Sequence, residues 1–357
     1  MTAIGSAISQ GNSLARSLRL PLIAAVAVLV YAFLLWLAIQ LVNPTMGAER
    51  AFPVAIQQTV NALSIGAIYA MIALGYTMVY GIIELINFAH GDIFMLGSFV
   101  SVVFISGITG HDSAVTDVGL LTLLLLGAMA FTMPIIGLLN VTIERLVYRP
   151  LRNAPRVAPL ITAVGVSFIL QQIALTVTGS GDRRAPQIFP TEWQIPIGGA
   201  SISILSLVIF SIAMILMLIL ATFVSRTRLG RAMRATAQDR EASALMGVDA
   251  NQTIALTFLI GGMLAAAAGV VWGLRFGYTR FDLGFNSGLK AFTAAVLGGI
   301  GNITGAVLGG FVIGFVEVAA AALGYARWQE FLTFAILTLI LIFKPTGILG
   351  LASGDRA

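Results

Sequence analysis

No charged side chain interrupts residues 51–83, which read AFPVAIQQTVNALSIGAIYAMIALGYTMVYGII. A helix needs about 20 apolar residues to cross the hydrocarbon core of a bilayer, which is about 30 Å thick. Four further stretches are free of charge over at least that length: residues 20–42, 118–143, 157–179 and 200–224. The sequence therefore predicts a chain that crosses a membrane many times.

The composition supports the same class. Hydrophobic residues make up 58% of the 357 and charged residues only 10%, whereas soluble domains carry about 25% charged residues. Further candidate spans are residues 93–110, 253–274, a glycine-broken region 291–301, 303–325 and the short 331–343. The predicted fold class is an all-α polytopic transmembrane helix bundle of about eight to ten spans.

The basic residues indicate an orientation. With the amino terminus in the cytoplasm, thirteen Lys and Arg residues fall inside and seven outside. The positive-inside rule then predicts a protein of the cell (inner) membrane with both termini in the cytoplasm. This bias also accounts for most of the formal charge of +5, so membrane lipid is the expected neighbour and nucleic acid is not.

The sequence divides into three parts. Residues 1–50 form an N-terminal extension with the first membrane helix, residues 51–350 form the transmembrane domain, and residues 351–357 form a C-terminal tail. The long first apolar stretch lacks a clear small-x-small cleavage site, so we interpret it as a retained helix.

Several chemistries lack the residues that they need. Lys290 and Lys344, the two lysines, follow Leu289 and Phe343, so there is no phosphate-binding Gly-Lys motif. The two histidines are too far apart in sequence for a zinc-protease motif, and cysteine is absent. We therefore expect no catalytic residues, no bound metal and no cofactor.

A polar segment, residues 225–252, separates two apolar spans and contains a short predicted helix. Asp239 is a good N-cap, and Gly247 supplies a left-handed exit. The candidate docking residues are Asp239, Glu241, Ala242, Leu245, Met246 and Gly247. Three of them, Ala242, Leu245 and Met246, share one helix face that suits a groove on another protein. The alternative is a capped turn that only joins two spans.

Polar residues also occur within or beside the spans. Residues 84–92, ELINFAHGD, follow the second span and include Asn87, His90 and Asp92. Three interpretations stay open at this expected membrane edge: a tight capped turn, a cytoplasmic gate, or a proton relay that includes Glu84. Glu317 lies inside an apolar span and predicts either a hydrogen bond to another helix or the lining of a solute path.

Two other patterns concern packing and the outer surface. Glycines recur every four residues at Gly301, Gly305 and Gly309, which is typical of close helix packing. Such a surface could also be one along which helices move, and the spacing alone does not show motion. Residues 180–199 contain three prolines and several charges, so they cannot form one continuous helix. This segment is either a solvated connector or a docking surface for an outside partner.

Ordered segments across most of the chain carry a family resemblance. These are GYTMVYGI at 75–82, INFAHGD at 86–92, YRPLR at 148–152 and KAFTAAVLGGIG at 290–301. From about residue 57 to residue 350 the chain resembles the LivH-type permease of branched-chain amino-acid ABC importers. Such permeases carry a Glu-Ala-Ala-x-x-x-Gly coupling motif, matched here by Glu241, Ala242 and Gly247, with Ser243 in place of the second alanine.

The resemblance implies a permease subunit with no ATPase activity of its own. Its expected partners are two ABC ATPase subunits, a second related permease subunit and an extracytoplasmic solute-binding protein. The substrate would be a branched-chain amino acid, an amide or urea, and the spans show no evident cluster of charged residues to hold a zwitterion. Two alternatives stay open: an ion-coupled secondary transporter that uses Glu317 or the 84–92 cluster, and a non-transporting scaffold.

Overall fold

The computed structural model describes residues 23–83, 87–152, 154–155 and 157–350. The predictions about residues 1–22, Glu84, Arg156 and the tail 351–357 lie outside the described residues. The first half of the bundle consists of α1 (Ile23–Val42), α2 (Ala48–Ile83), α3 (His90–Val102), α4 (Val118–Ile143), α5 (Val157–Thr178) and α6 (Ile204–Arg226). The second half consists of α7 (Arg228–Gln238), α8 (Arg240–Leu245), α9 (Ala250–Phe276), α10 (Leu283–Gly298), α11 (Ile303–Ala322) and α12 (Gln329–Phe343).

Nine helical segments in the described part of the chain are long and apolar enough to cross a membrane. Two of them extend past the α-helix itself: α3 continues as a π-turn through Val103–Ile108, and α4 continues to Leu151. Helix α10 has only 16 residues, about 24 Å of rise. The prediction of a polytopic all-α bundle with about eight to ten spans is confirmed.

Helix α10 nevertheless runs through the depth of the bundle. Its first residues follow α9, whereas its last turn accepts hydrogen bonds from the segment after α12: the Ile348 amide donates to Leu297 at 2.8 Å and the Leu349 amide to Gly298 at 3.0 Å. Gly298 also packs on the backbone of Gly305 near the start of α11. The glycine-broken region 291–301 is therefore the end of a short buried helix.

The core consists of α2, α9, α10 and α11 with α3 and α4 packed against it. The glycines in this core leave no room for side chains. A Cβ on Gly309 would overlap the carbonyl oxygen of Ala294, and one on Gly314 would overlap the backbone of Gly66. Backbone-to-backbone packing of this kind replaces the hydrophobic drive that is missing inside a bilayer.

The outer helices face away from this core. Large apolar side chains are exposed along α1, α5, α6 and α12, as at Leu29, Val177, Ile219 and Phe343. Helices with such faces are suited to contact lipid. A smaller cluster ties α1 to the bundle through buried Leu35 and Ile39.

The segment 180–199 is not helical, as predicted. It contributes strand β1 (Arg183–Arg184) and strand β2 (Gln194–Ile197). Strand β2 pairs with β3 (Ala200–Ser203) as an antiparallel hairpin, and β1 pairs with β4 (Tyr278–Thr279) directly after α9. The pairing fixes this segment over the end of the bundle at which α9 finishes.

Candidate functional site

The short helix α8 lies at one end of the bundle and is built as its sequence predicts. The Asp239 carboxylate accepts a hydrogen bond from the Ala242 amide at 2.9 Å, which caps the first turn. The chain leaves the helix through Gly247 at φ +85°, a conformation that favours glycine. The capping signals therefore fix both ends of α8.

The apolar face of α8 is not covered by the rest of the chain. Leu245 is 89% exposed and Met246 is 85% exposed. On the opposite face Ser243 is buried and donates a hydrogen bond to the Arg240 carbonyl at 2.9 Å. A large apolar pair in water at the tip of a capped helix is a feature of binding surfaces.

A second amphipathic helix, α7, supports α8 and was not predicted from the sequence. Thr227 caps it by accepting from the Gly230 amide at 2.9 Å, and Met233 and Thr236 are buried on its inner face. The spacing of Arg228, Arg231 and Arg234 on its outer face is a helix signal that could have revealed it.

An ion pair lies behind α8. Arg152 contacts Glu144, which directly follows α4, and also donates to the Asn251 side chain at 2.6 Å. Both charged side chains are buried, beside a cavity of about 250 Å³ that Arg240 also lines. The first turn of α9 and the base of α4 are thereby joined close to the start of α8.

A larger cavity, about 410 Å³, opens at the other end of the bundle. It lies between α2, the last turns of α9 and α11, and the first half of α10. We call it the polar cavity. Its polar and charged lining consists of Gln58, Asn61, Tyr69, Arg275, Tyr278, Arg280, Asp282, Asn286, Ser287, Lys290, Glu317 and Gln329.

Glu317 is the centre of a hydrogen-bond network in the polar cavity. One carboxylate oxygen accepts from Lys290 Nζ at 2.8 Å and the other from the Tyr69 hydroxyl at 2.7 Å. The Lys290 and Glu317 side chains are each 13% exposed. Glu317 thus makes the expected hydrogen bonds to neighbouring helices and also lines a cavity. The lining of a solute path stays a prediction.

Arg275 and Arg280 are the other cations of the polar cavity. Arg275 donates to the Asn61 side chain at 2.9 Å and makes no salt bridge with any residue that the structure describes. Arg280, nearer to solvent, pairs with Asp282, and this hydrogen bond raises the pKa of Arg280 above its ordinary value.

The sequence of this fold matches a known family. Residues 58–341 match the family described as "Branched-chain amino acid transport system / permease component". The chain belongs to this family. The match covers the bundle from α2 to α12, including α8 and every residue named around the polar cavity.

Individual relatives agree with the family match. The permease is 42% identical over 300 residues to the high-affinity branched-chain amino acid transport system permease protein BraD of Pseudomonas aeruginosa, which covers 83% of this chain and 95% of the relative. It has the same identity and coverage with LivH of Escherichia coli K12. A shorter similarity, 33% over 140 residues, connects it to the autoinducer 2 import system permease protein LsrC of Klebsiella pneumoniae. No solved structure matches the chain.

The structure places the 87–92 cluster inside the helix bundle and not at its surface. His90 packs against Gly75 in α2, about two helical turns before that helix ends at Ile83. Asn87, His90 and Asp92 are all buried, and Asn87 accepts a hydrogen bond from the Tyr148 hydroxyl at 2.7 Å. Helix α3 therefore begins inside the bundle.

This cluster lies between the two cavities and does not contact Glu317. The Tyr76 ring stands edge-on to His90 with ring centroids 4.7 Å apart, and Phe292 packs on Tyr76 at 5.9 Å. Gly91 packs directly on the backbone of Gly284 and Gly288. Together these contacts pack the start of α3 against α2 and α10.

One expectation from the sequence is wrong. The spans do hold a cluster of charged residues, since Arg275, Lys290 and Glu317 line one cavity. The predicted orientation places Lys290 and Arg275 among the seven outer basic residues. The available signal was their occurrence inside or at the end of an apolar span, where charge is costly and usually paired.

Proposed function

We propose that this permease is one membrane subunit of an ATP-driven importer of branched-chain amino acids. Membership of the permease family and the near full-length similarity to BraD and LivH support this assignment. The relatives are transport subunits, and the sequence contains no phosphate-binding Gly-Lys motif. Energy then comes from two separate ABC ATPase subunits.

The observation that carries the proposal is the exposed face of α8. Leu245 and Met246 stand in water on a helix whose two ends are fixed by Asp239 and Gly247. A rigid, capped helix with two large apolar side chains suits a groove on a motor subunit. In this assignment Asp239, Glu241, Ala242, Leu245, Met246 and Gly247 couple the permease to the ATPases.

In this proposal α8 and the polar cavity lie on opposite sides of the membrane, because α9 connects them. Helix α9 has 27 residues, about 40 Å of rise, which exceeds the bilayer core of about 30 Å. With α8 and both termini in the cytoplasm, the polar cavity opens to the outside. The basic residues of 225–252 support this orientation through the positive-inside rule.

The remaining partners follow from the type of importer. An external solute-binding protein delivers the amino acid over the hairpin side of the bundle, and a second, related permease subunit completes the pathway. Residues 51–350 form the translocating domain, and the 87–92 cluster closes the path between the two cavities.

Reconstitution into vesicles tests the proposal. Vesicles with this permease, its partner permease, the ATPases and the binding protein should take up labelled leucine only when ATP is supplied on the α8 side. Vesicles without the ATPases are the control, and they should not respond to a pH gradient. Uptake by the permease alone under a pH gradient would instead identify an ion-coupled secondary transporter.

A further inference from the structure

We propose that the polar cavity is a binding site for the zwitterionic α-amino acid itself. Arg275 binds the carboxylate of the solute, and Glu317 binds its ammonium group. The proposal rests on the proposed function for the identity of the solute. It adds a recognition site inside the membrane subunit, separate from any selection by an external protein.

The charges of the inner part of the cavity are unbalanced. Lys290 and Glu317 neutralise each other at 2.8 Å. Arg275 remains, and in the described part of the chain no acidic side chain forms a salt bridge with it. A cation largely removed from water is costly unless an anion accompanies it. A carboxylate that enters the cavity supplies that anion.

Arg275 also has hydrogen-bonding capacity to spare. Its guanidinium carries five N–H donors, and one nitrogen, Nη2, donates to Asn61 at 2.9 Å. The Nε atom is buried and has no hydrogen-bond partner among residues 23–83, 87–152, 154–155 and 157–350. Arg275 lines the cavity with donors that the described residues do not use, so it can hold a carboxylate.

Glu317 can accept a further donor. A carboxylate has about four acceptor positions, and Lys290 and Tyr69 use two of them. The hydroxyl of Tyr69 and the side chain of Lys290 hold the carboxylate in place from two helices. An ammonium group of the solute fits the free acceptor positions and adds a positive charge next to Glu317.

The apolar part of the lining suits an aliphatic side chain. Ile65, Trp272 and Val318 line the same cavity as Arg275 and Glu317. Its volume of about 410 Å³ lies at the small end of the range of about 300–1,000 Å³ for ligand sites. A charged pair with an adjoining apolar wall is the arrangement that distinguishes a leucine-type amino acid from urea, which has neither charge nor aliphatic group.

Equilibrium binding of labelled leucine to the complete complex, reconstituted without the binding protein, tests the site. Leucinamide, which lacks the carboxylate, and 4-methylpentanoate, which lacks the ammonium group, should each compete at least about 10-fold less well than leucine. Arg275→Gln should weaken leucine binding about 10- to 100-fold, and Arg275→Lys should restore part of the loss.

Arg327→Gln is the matched control, because it removes an arginine at the same end of the molecule that does not line the cavity. It should bind leucine as the wild type does. Equal competition by leucinamide and leucine in the wild-type complex would overturn the proposal, and this measurement needs no variant to fold. Unchanged leucine binding by Arg275→Gln would overturn it as well.

The two proposals fail in different ways. If the wild-type complex shows no ATP-driven uptake of leucine, the proposed function is wrong. If uptake is ATP-driven but binding to the complex does not depend on the carboxylate and ammonium groups of the solute, only the proposal of a zwitterion site is wrong.

Discussion

The two ends of this permease are built in opposite ways. At the α8 end, large apolar side chains stand in water on a helix specified by nine consecutive residues, 239–247. At the other end, charged side chains lie between helices, where residues as distant in sequence as Asn61 and Glu317 line one cavity. Both arrangements depart from the usual rule of apolar inside and charged outside. The exposed apolar face of α8 can be predicted from a short stretch of sequence. The polar cavity cannot, because its residues meet only after the chain has folded.

From this comparison we expect the largest loss of stability when a single charge is removed at the cavity end. Lys290→Gln leaves Glu317 without its cation and should lower the free energy of unfolding by about 3–5 kcal/mol. Thermal or denaturant unfolding of the purified complex in detergent measures this loss. The double variant Lys290→Gln, Glu317→Gln removes both charges and should recover most of it. A single variant as stable as the wild type would mean that the pair is not buried in the membrane.

The α8 end should lose binding without losing stability. Leu245→Glu puts a charge into the proposed docking face and should weaken ATPase binding by at least about 2 kcal/mol, roughly 30-fold. The fold should be unaffected because Leu245 is almost fully exposed. Titration of the ATPase subunits against the reconstituted permease measures the effect, with Leu245→Met as the control. Equal affinity of the ATPase subunits for both variants would show that α8 is not part of the interface.

The cap of α8 should have a smaller effect. Asp239→Ala removes the acceptor for the Ala242 amide and should destabilise the helix by about 1 kcal/mol. Hydrogen exchange at the Ala242 amide should accelerate accordingly. Asp239→Ser keeps an acceptor at the cap and should exchange like the wild type. If Asp239→Ala also leaves exchange unchanged, contacts other than the cap hold the helix.

The smallest effect is expected at the mouth of the polar cavity. The Arg280 and Asp282 side chains are 43% and 34% exposed, so Arg280→Gln should change stability by only about 0–1 kcal/mol. The difference from the wild type should shrink further at high salt, because exposed charges are screened. A loss of stability as large as that for Lys290→Gln would show that the difference in burial between the two ion pairs does not determine their contributions to stability.

Much of the architecture could be predicted from sequence because it depends on local features. Charge-free runs of sufficient length identify the spans, and Asp239 and Gly247 identify the ends of α8. Helix α7 was not predicted because its residues are mostly polar and few of them, Gly230, Met233 and Thr236, are buried. Its arginine spacing was the available signal.

The polar cavity could not be predicted in the same way. Lys290 and Glu317 lie on different helices, and their meeting depends on how α10 and α11 pack through Gly309 and Ala294. The depth of His90 is a similar case. A sequence shows that α2 is long, but the point at which α3 returns beside it depends on the fit of His90 over Gly75.

The glycine contacts of the core have a consequence for transport. Gly309 meets the Ala294 carbonyl and Gly314 meets Gly66 with no side chain between the helices, so α2, α10 and α11 cannot slide past one another without separating their backbones. A stroke delivered at α8 would then turn these three helices as one unit. In the proposed importer, the outer helices would then have to accommodate the change of shape between outward-facing and inward-facing states.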